Sequence, residues 1–274
     1  MNVKNYDGLA CPLDGYALHR DGNSLRCADG HCFDLDKRGA VNMLPVQLRK
    51  SKNPGDSKEM VLARTRVLDS GVYAPIADAV REALKGAGGL IVDAGCGEGY
   101  YTTQVAEDAD DRRCIGVDIS KDAITAASKR SGPVTWCVGT NARLPIIDGA
   151  AAAVMCLFGF PVYHEFARVL AADGLLLMVD PADDHLIELR RHLYNDVQRK
   201  ENAPVIAPDG FVLRDRRDLC VTQTAPDAAL LHDLVMMTPH GYRSSPERIT
   251  DAVRQLAGKP LTLHVRCAAW RKGA

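Results

Sequence analysis

The sequence predicts an α/β fold: a Rossmann-like, mostly parallel sheet with a small Cys/His module at its N-terminus. Three observations lead there. From Gly89 onward, short apolar runs alternate with helical stretches, and near-continuous apolar strands are those of a parallel sheet covered on both faces. The first of these strands runs into a glycine-rich turn, "LIVDAGCGEGYYT", the form of a nucleotide-binding βα unit. Residues 1–36, by contrast, are rich in Cys, His, Gly and Asp and show no sustained helical period.

The bulk properties agree with this and exclude other classes. A chain of 274 residues has room for one α/β domain and an appendage. A net charge of −1 and 5% aromatic residues argue against a generally basic nucleic-acid or membrane binder and against broad stacking surfaces. Nine scattered cysteines, several inside apolar runs (Cys114, Cys137, Cys156), fit buried thiols in a reducing compartment. "MNVKNYDGLA" has no apolar signal-peptide core, and the longest apolar run, from Gly149, is about 14 residues, too short to span a bilayer. The expectation is a soluble cytoplasmic protein with no membrane partner.

Three segments follow in order: a zinc-knuckle-like module (1–36), a basic helical connector (37–86) and the main domain (87–274). In the module, Cys11, Cys27 and His31 have the spacing of three zinc ligands, and Asp14 holds the fourth place. Zinc accepts carboxylate oxygen, though a thiolate is the softer and better donor. Cys32 adjoins His31 but should point the other way in an extended chain; His19 reads as a surface residue. The connector "SKEMVLARTRVLDSGVYAPIADAVREALKG" reads as two helices, with Ser57 and Asp69 as N-terminal signals and Gly71 or Gly86 as stops. Between Lys37 and Arg66, eight basic residues (Lys37, Arg38, Arg49, Lys50, Lys52, Lys58, Arg64 and Arg66) stand against two acids, Asp56 and Glu59. Such a cluster can hold phosphates or form a solvated face.

In the main domain the strands are "GLIVDAG", "RCIGVDIS", "PVTWCVGT", "AAAVMCLF" and "GLLLMVDP", interleaved with the helices "YTTQVAEDA", "KDAITAASKR" and "VYHEFARVLAA". Two more strands, "FVLRDRRDLCVT" and "LTLHVRCAAW", flank the helix "SPERITDAVRQLAG". In the turn, Gly95, Gly97 and Gly99 alternate between Asp93 and the next helix, with Glu98 inside. Roughly twenty residues on, Asp118 and Ile119 end the second strand, where a carboxylate can accept from ribose hydroxyls. The G-x-G-x-G spacing and the acids suit a cofactor bearing an amine and a sulfonium, and would repel a pyrophosphate. S-adenosylmethionine is the expected cofactor. Asn141 with Ala142, in "GTNARLP" after the third strand, is the candidate for the adenine side. Glu165 and Asp180 are acids placed by position alone, and no catalytic residue is assigned.

These residues together resemble a family. "CPL…C…GHCFD…G.VNMLPVQ…NPGDSKEMVLARTRVLDSGVYAPI", followed by "VDAGCGEGYYT", is similar to the bacterial 23S ribosomal RNA (guanine-N1)-methyltransferases, which include a housekeeping enzyme and macrolide-resistance relatives. The resemblance implies a class I methyltransferase sheet with a zinc-binding module, acting on N1 of a guanine in a 23S rRNA hairpin loop. It also implies a homodimer. The family zinc pattern falls on Cys11, Asp14 (in place of a cysteine), Cys27 and His31, and its cofactor pattern on Tyr73, Gly97, Glu98 and His185. Departures are Asp14, the "LFGFP" turn and His240, the last two on the substrate side. Two alternatives stay open: a diverged member methylating a small heteroaromatic substrate, and a non-catalytic RNA-binding assembly factor.

Overall fold

The computed structural model describes residues 6–48, 51, 54–108, 111–130, 132–197 and 207–273. Three short strands come first: β1 (His19–Asp21), β2 (Ser24–Arg26) and β3 (Cys32–Asp34), an antiparallel sheet of order β1-β2-β3. The module is thus more ordered than its loop-like sequence suggests; runs of three residues are too short to show a period. After β4 (Val41–Asn42) come α1 (Lys58–Asp69) and α2 (Ala74–Ala83).

The main unit then alternates: β5 (Gly89–Ala94), α3 (Tyr100–Glu107), β6 (Arg112–Asp118), α4 (Lys121–Ala127), β7 (Val134–Val138), β8 (Ala151–Leu157), α5 (Tyr163–Val169) and β9 (Leu170–Pro181). It ends with α6 (Ile187–Leu193), β10 (Phe211–Thr224), α7 (Ala228–Met236), α8 (His240–Arg243), α9 (Pro246–Leu256) and β11 (Pro260–Lys272). The eight-stranded sheet has the order β10-β11-β9-β8-β5-β6-β7-β4. Strands β4 to β9 pair in parallel, whereas β11 runs antiparallel to both β9 and β10. Strand order reverses between β5 and β8, and the crevice beyond the carboxyl ends there is where open α/β sheets bind ligands.

The strands bury alternate residues on two faces. Ile91, Cys114, Trp136, Met155 and Leu177 pack with helix residues such as Ala63, Val67, Ile76, Val80 and Val105. Leu90, Val92, Ile115, Val117 and Val154 pack instead with Leu9, Leu18, Leu25 and Leu35 of the module and with Phe166 of α5. Backbone bonds stitch the module down: Ala10 N–H donates to Pro145 O (2.9 Å) and Ile147 N–H to Gly8 O (2.9 Å). The N-terminal module covers one face of the sheet in the place helices usually take.

Several local expectations meet corrections. Ser57 caps α1, its Oγ accepting from Met60 N–H at 3.3 Å, and Gly71 follows the helix with φ of 83°. Asp69 does not start α2. It is the last residue of α1 and pairs with Arg130, while α2 begins after Tyr73 with no side-chain cap. "VYHEFARVLAA" is helical only to Val169, because Leu170 already pairs with Ala151 in the sheet. All nine cysteines are free thiols, and of these only Cys32 and Cys220 are exposed. Among the described residues no helix is long and apolar enough to cross a membrane.

Candidate functional site

The four expected zinc ligands converge. Their ligand atoms lie within 4.8 Å of one another, with Cys11 and Cys27 buried. Three short elements bring them together: the turn after Cys11, the end of β2 and the tight turn before β3, where Gly30 N–H bonds Cys27 O at 3.0 Å. His31 Nδ1 stands 3.6 Å from Cys11 Sγ and 3.4 Å from Cys27 Sγ. Tetrahedral zinc, with Zn–S of about 2.3 Å and Zn–N of about 2.0–2.1 Å, sets an S–N edge of about 3.6 Å. Asp14 Oδ2 lies 2.7 Å from His31 Nδ1 and accepts from Cys27 Sγ–H at 3.0 Å. Desolvation alone would raise the Asp14 carboxyl, but donation from Cys27, Tyr16 N–H and His31 outweighs it and holds the group well below the usual carboxylate range. Asp14 therefore stays an anion aimed at the cluster, and the donor set fits a zinc ion. Cys32 is exposed on β3 and takes no part; His19 is exposed on β1.

The second site forms at the carboxyl ends of β5, β6 and β8. After Asp93, Gly95 and Gly97 turn with φ of 100° and 55°; a Cβ on Gly95 would meet nothing nearer than Asn141 Nδ2 at 3.9 Å, so the backbone lies open to a ligand. Asp118 accepts from Gly97 N–H (2.9 Å) and Ser120 N–H (2.8 Å), which fixes its carboxylate beside the loop. Ile119 is packed against the core next to it. Asn141 donates to Ala94 O (3.2 Å) and Phe160 O (3.3 Å), tying the turn after β7 to the ends of β5 and β8, and exposed Ala142 follows. Asp93 is 1% exposed and Thr102 Oγ1–H donates to its Oδ2 at 2.6 Å. Burial, reinforced by Asp118 and Glu98, pushes its pKa up to about 7.

Glu98 is also buried, but its carboxylate is paired with Arg130, so the loop offers a ligand the Glu98 backbone rather than its charge. His185 Nδ1 accepts from His264 N–H (3.3 Å), leaving Nε2 facing the Tyr73 hydroxyl at 3.4 Å. Burial holds this imidazole neutral, lowering its pKa to about 4. Tyr73, Tyr101, Phe158 and His185 form one aromatic group, with ring centroids 6.0–6.5 Å apart along Tyr73–Phe158, Phe158–His185 and Tyr101–Phe158. Phe158, in the "LFGFP" turn after β8, has φ of 54°, a strained conformation for a bulky residue of the kind concentrated at functional sites. Phe160 is 90% exposed beside it. His240 contacts Tyr194, its Nδ1 2.7 Å from the hydroxyl, and acts electrostatically on His185.

The site fits S-adenosylmethionine. The buried atoms Asp93 Oδ1 and Tyr101 Oη have no hydrogen-bond partner among the described residues, the loop is open, and acids face it where a cation would lie. Sequence reasoning missed Tyr101, reached Phe158 only as part of the "LFGFP" turn, and named Arg64 only within the basic cluster. The last is on α1, with its Nη1 3.7 Å from where a Gly97 Cβ would stand; its signal in the sequence was its place in the basic cluster. Glu165 is structural: buried, it accepts from Leu144 N–H (2.8 Å) and Arg168 (2.8 and 2.9 Å). Asp180 faces Arg266 across the β9–β11 pair. Of the connector cations, Arg66 is bound to Asp233 (2.6 and 2.7 Å) and Arg64 to Asp56; Arg49, Lys50 and Lys52 lie outside the described residues.

Comparison with known proteins places this geometry. Residues 9–52 match the zinc-ribbon family model described as "RlmA, N-terminal", and residues 91–174 match a methyltransferase-domain model. The 23S rRNA (guanine(748)-N(1))-methyltransferase of Streptomyces fradiae is 33% identical over 267 residues, covering 94% of this chain and 93% of the relative. YxjB of Bacillus subtilis (strain 168), provisionally named a 23S rRNA (guanine-N(1)-)-methyltransferase, is 32% identical over 95% of this chain and 96% of its own. A protein of Micromonospora griseorubida with the same provisional name is 33% identical over 96% of this chain and 97% of its own.

Proposed function

The chain belongs to the 23S rRNA (guanine-N1)-methyltransferase family, and from that premise we propose that it methylates N1 of a guanine in a hairpin loop of 23S ribosomal RNA. It is an S-adenosylmethionine-dependent methyltransferase. When bound, the cofactor supplies an electrophilic methyl group on sulfur. Asp118 and Ile119 would hold its ribose side, Asn141 and Ala142 its adenine side, and Asp93, Gly95, Gly97 and Glu98 its amino-acid end, with Tyr73 and His185 closing the pocket.

The observation that carries the reading is the aromatic group Tyr73, Tyr101, Phe158 and His185 standing against the glycine loop. A flat base unstacked from an RNA loop is recognised by such faces. The exposed ring of Phe160 is placed to guide the base toward them. Positioning does most of the work in methyl transfer, since the attacking nitrogen must lie in line with the methyl group. The proposal includes zinc bound by Cys11, Asp14, Cys27 and His31, the three-segment division at 36/37 and 86/87, action in the cytoplasm, and a homodimer, for which β10, the terminal strand of the sheet among the described residues, offers an edge.

The test is transfer from labelled S-adenosylmethionine to protein-free 23S rRNA lacking this modification, with digestion to nucleosides. A labelled 1-methylguanosine peak, lost on Asp118→Ala, is expected. No transfer by protein that still binds the cofactor would move the assignment to a small heteroaromatic substrate. Failure to bind the cofactor at all would favour an assembly factor.

A further inference from the structure

The cofactor pocket poses an electrostatic problem. Asp93, Asp118 and Asp56 stand around the glycine loop, and carboxylates suit the ammonium and sulfonium of S-adenosylmethionine. The same cofactor carries an α-carboxylate, which an acid-lined wall repels. One cation near the loop can resolve this. Arg130 is committed to Glu98 and Asp69 at the far side of the turn. Arg64 is paired with a single acid, Asp56, and stands against Gly97.

Arg64 projects from α1 toward Gly97, with Nη1 3.7 Å from the place a Cβ would occupy and no side chain between. Two hydrogen bonds aim the guanidinium: Nη1 donates to Asp56 Oδ2, and Nη2 donates to Met237 O at 3.1 Å. A guanidinium has five N–H donors, and among the described residues Arg64 has no further hydrogen-bond partner for the rest. The side chain is 25% exposed, partly withdrawn from bulk solvent. Its charge acts on Tyr73, Glu98, Tyr101 and Asp118 around the glycine loop.

The sequence stretch that carries Asp56 is itself pinned to the turn after β6, next to Asp118. Ser120 Oγ–H donates to Asp56 O at 2.8 Å, and a Cβ on Gly55 would lie 2.9 Å from both Ile119 and Ser120. The connector therefore forms one wall of the pocket, and Asp56 fixes the orientation of Arg64 on it.

We infer that Arg64 binds the α-carboxylate of the cofactor's amino-acid end, the planar fork matching a carboxylate as a lysine would not. This rests on the methyltransferase reading of the site. It makes Arg64 the residue that distinguishes S-adenosylmethionine and S-adenosylhomocysteine from adenosyl thioethers lacking the carboxylate.

The experiment is calorimetric titration of the full chain with S-adenosylhomocysteine and with its decarboxylated analogue, which keeps the amine. Both ligands are titrated into wild type, Arg64→Gln and Arg64→Lys. The expected result is a roughly 10- to 100-fold loss of S-adenosylhomocysteine affinity in Arg64→Gln, the range of a hydrogen bond to a charged group. Affinity for the decarboxylated analogue should stay within about twofold, so the cycle isolates the carboxylate contact. Arg64→Lys should fall between. Equal losses for both ligands, or no loss for either, overturn the assignment. Analogue binding also reports that the variant is folded, and if Arg64→Gln does not fold, Arg64→Lys decides by the same comparison. Wild type that binds neither ligand would instead refute the cofactor reading itself.

Discussion

Asp14 is the residue at which this chain departs most plainly from the zinc pattern of its family, and the geometry keeps its charge pointed at the cluster. A carboxylate is a harder donor than a thiolate, so the site should hold zinc less tightly than a three-thiolate site. Asp14→Cys should strengthen zinc retention against a competing chelator by tenfold or more, and Asp14→Ala should weaken it by a similar factor, read by a chromogenic zinc assay. Equal retention in all three would show that Asp14 is no ligand. Asp93 yields a pH prediction. Its folded pKa, about 7, exceeds the ordinary 3.8, so the native state holds more protons than the unfolded one between these values and the group's contribution to stability falls as pH rises through that window. His185, depressed to about 4, acts in the opposite sense, losing stability as pH falls from about 6.5 toward 4. Asp93→Asn keeps an acceptor for Thr102 and removes only the first effect. Without ligand, the variant should gain on wild type as pH rises from 4 to 7, by on the order of a few kcal/mol, as followed by thermal melts. A constant difference across that range would contradict the assignment. The candidate zinc ligands, the glycines and Asp118 were legible because each stands at the spacing of a short motif. Arg64 was not, because its role depends on a helix folding back over a loop more than thirty residues away in sequence.

At the scale of elements, the β5–α3 turn shows what its third glycine is for. Gly99 has φ of 85°, and a Cβ there would lie 2.6 Å from the Trp136 ring and 3.1 Å from Ala127. Trp136 is among the largest fully buried side chains, and its ring also lies over Gly116, where a Cβ would come within 2.4 Å. Gly99 thus serves the packing of α3, α4 and β7, while the ligand-facing positions are Gly95 and Gly97. Gly99→Ala should destabilise by about 3 kcal/mol, combining left-handed strain with overpacking, and lower Tm by about 5–10 °C. Calorimetry on the protein without cofactor checks this, and an unchanged Tm would mean that Trp136 moves aside freely. The strands from β5 to β9 were readable because each is a continuous apolar run buried on both faces. The end of α5 was not, since Val169 and Leu170 are both fully buried and hydrophobicity cannot separate the last helical residue from the first in the sheet. Asp69 misled for a related reason: an acid before a helix reads as a cap, but this one is paired with Arg130.

The whole molecule has one asymmetry from which the last prediction follows. One face of the sheet is covered by helices, the other largely by the zinc-type module, whose Leu9, Leu18, Leu25 and Leu35 share a single core with Leu90, Ile115, Val117 and Ile146 of the main unit. Sequence patterning separated the two by composition and could not show this, because apolar residues spaced among turns carry no period that marks what they pack against. A module with its own core would melt by itself when stripped of metal. Here, losing a bound zinc ion would loosen residues that also cover β5 and β6, the strands that lead into the glycine loop and Asp118. Zinc that binds only the folded protein contributes stability by mass action, about 2.7 kcal/mol at a hundredfold excess over Kd, or about 5–10 °C in Tm for a chain of this size. Chelation should therefore lower the melting temperature in one cooperative transition and weaken S-adenosylhomocysteine binding in parallel, with both restored by adding zinc back. Two separate transitions, with cofactor affinity untouched, would show that the shared core does not couple the module to the active site.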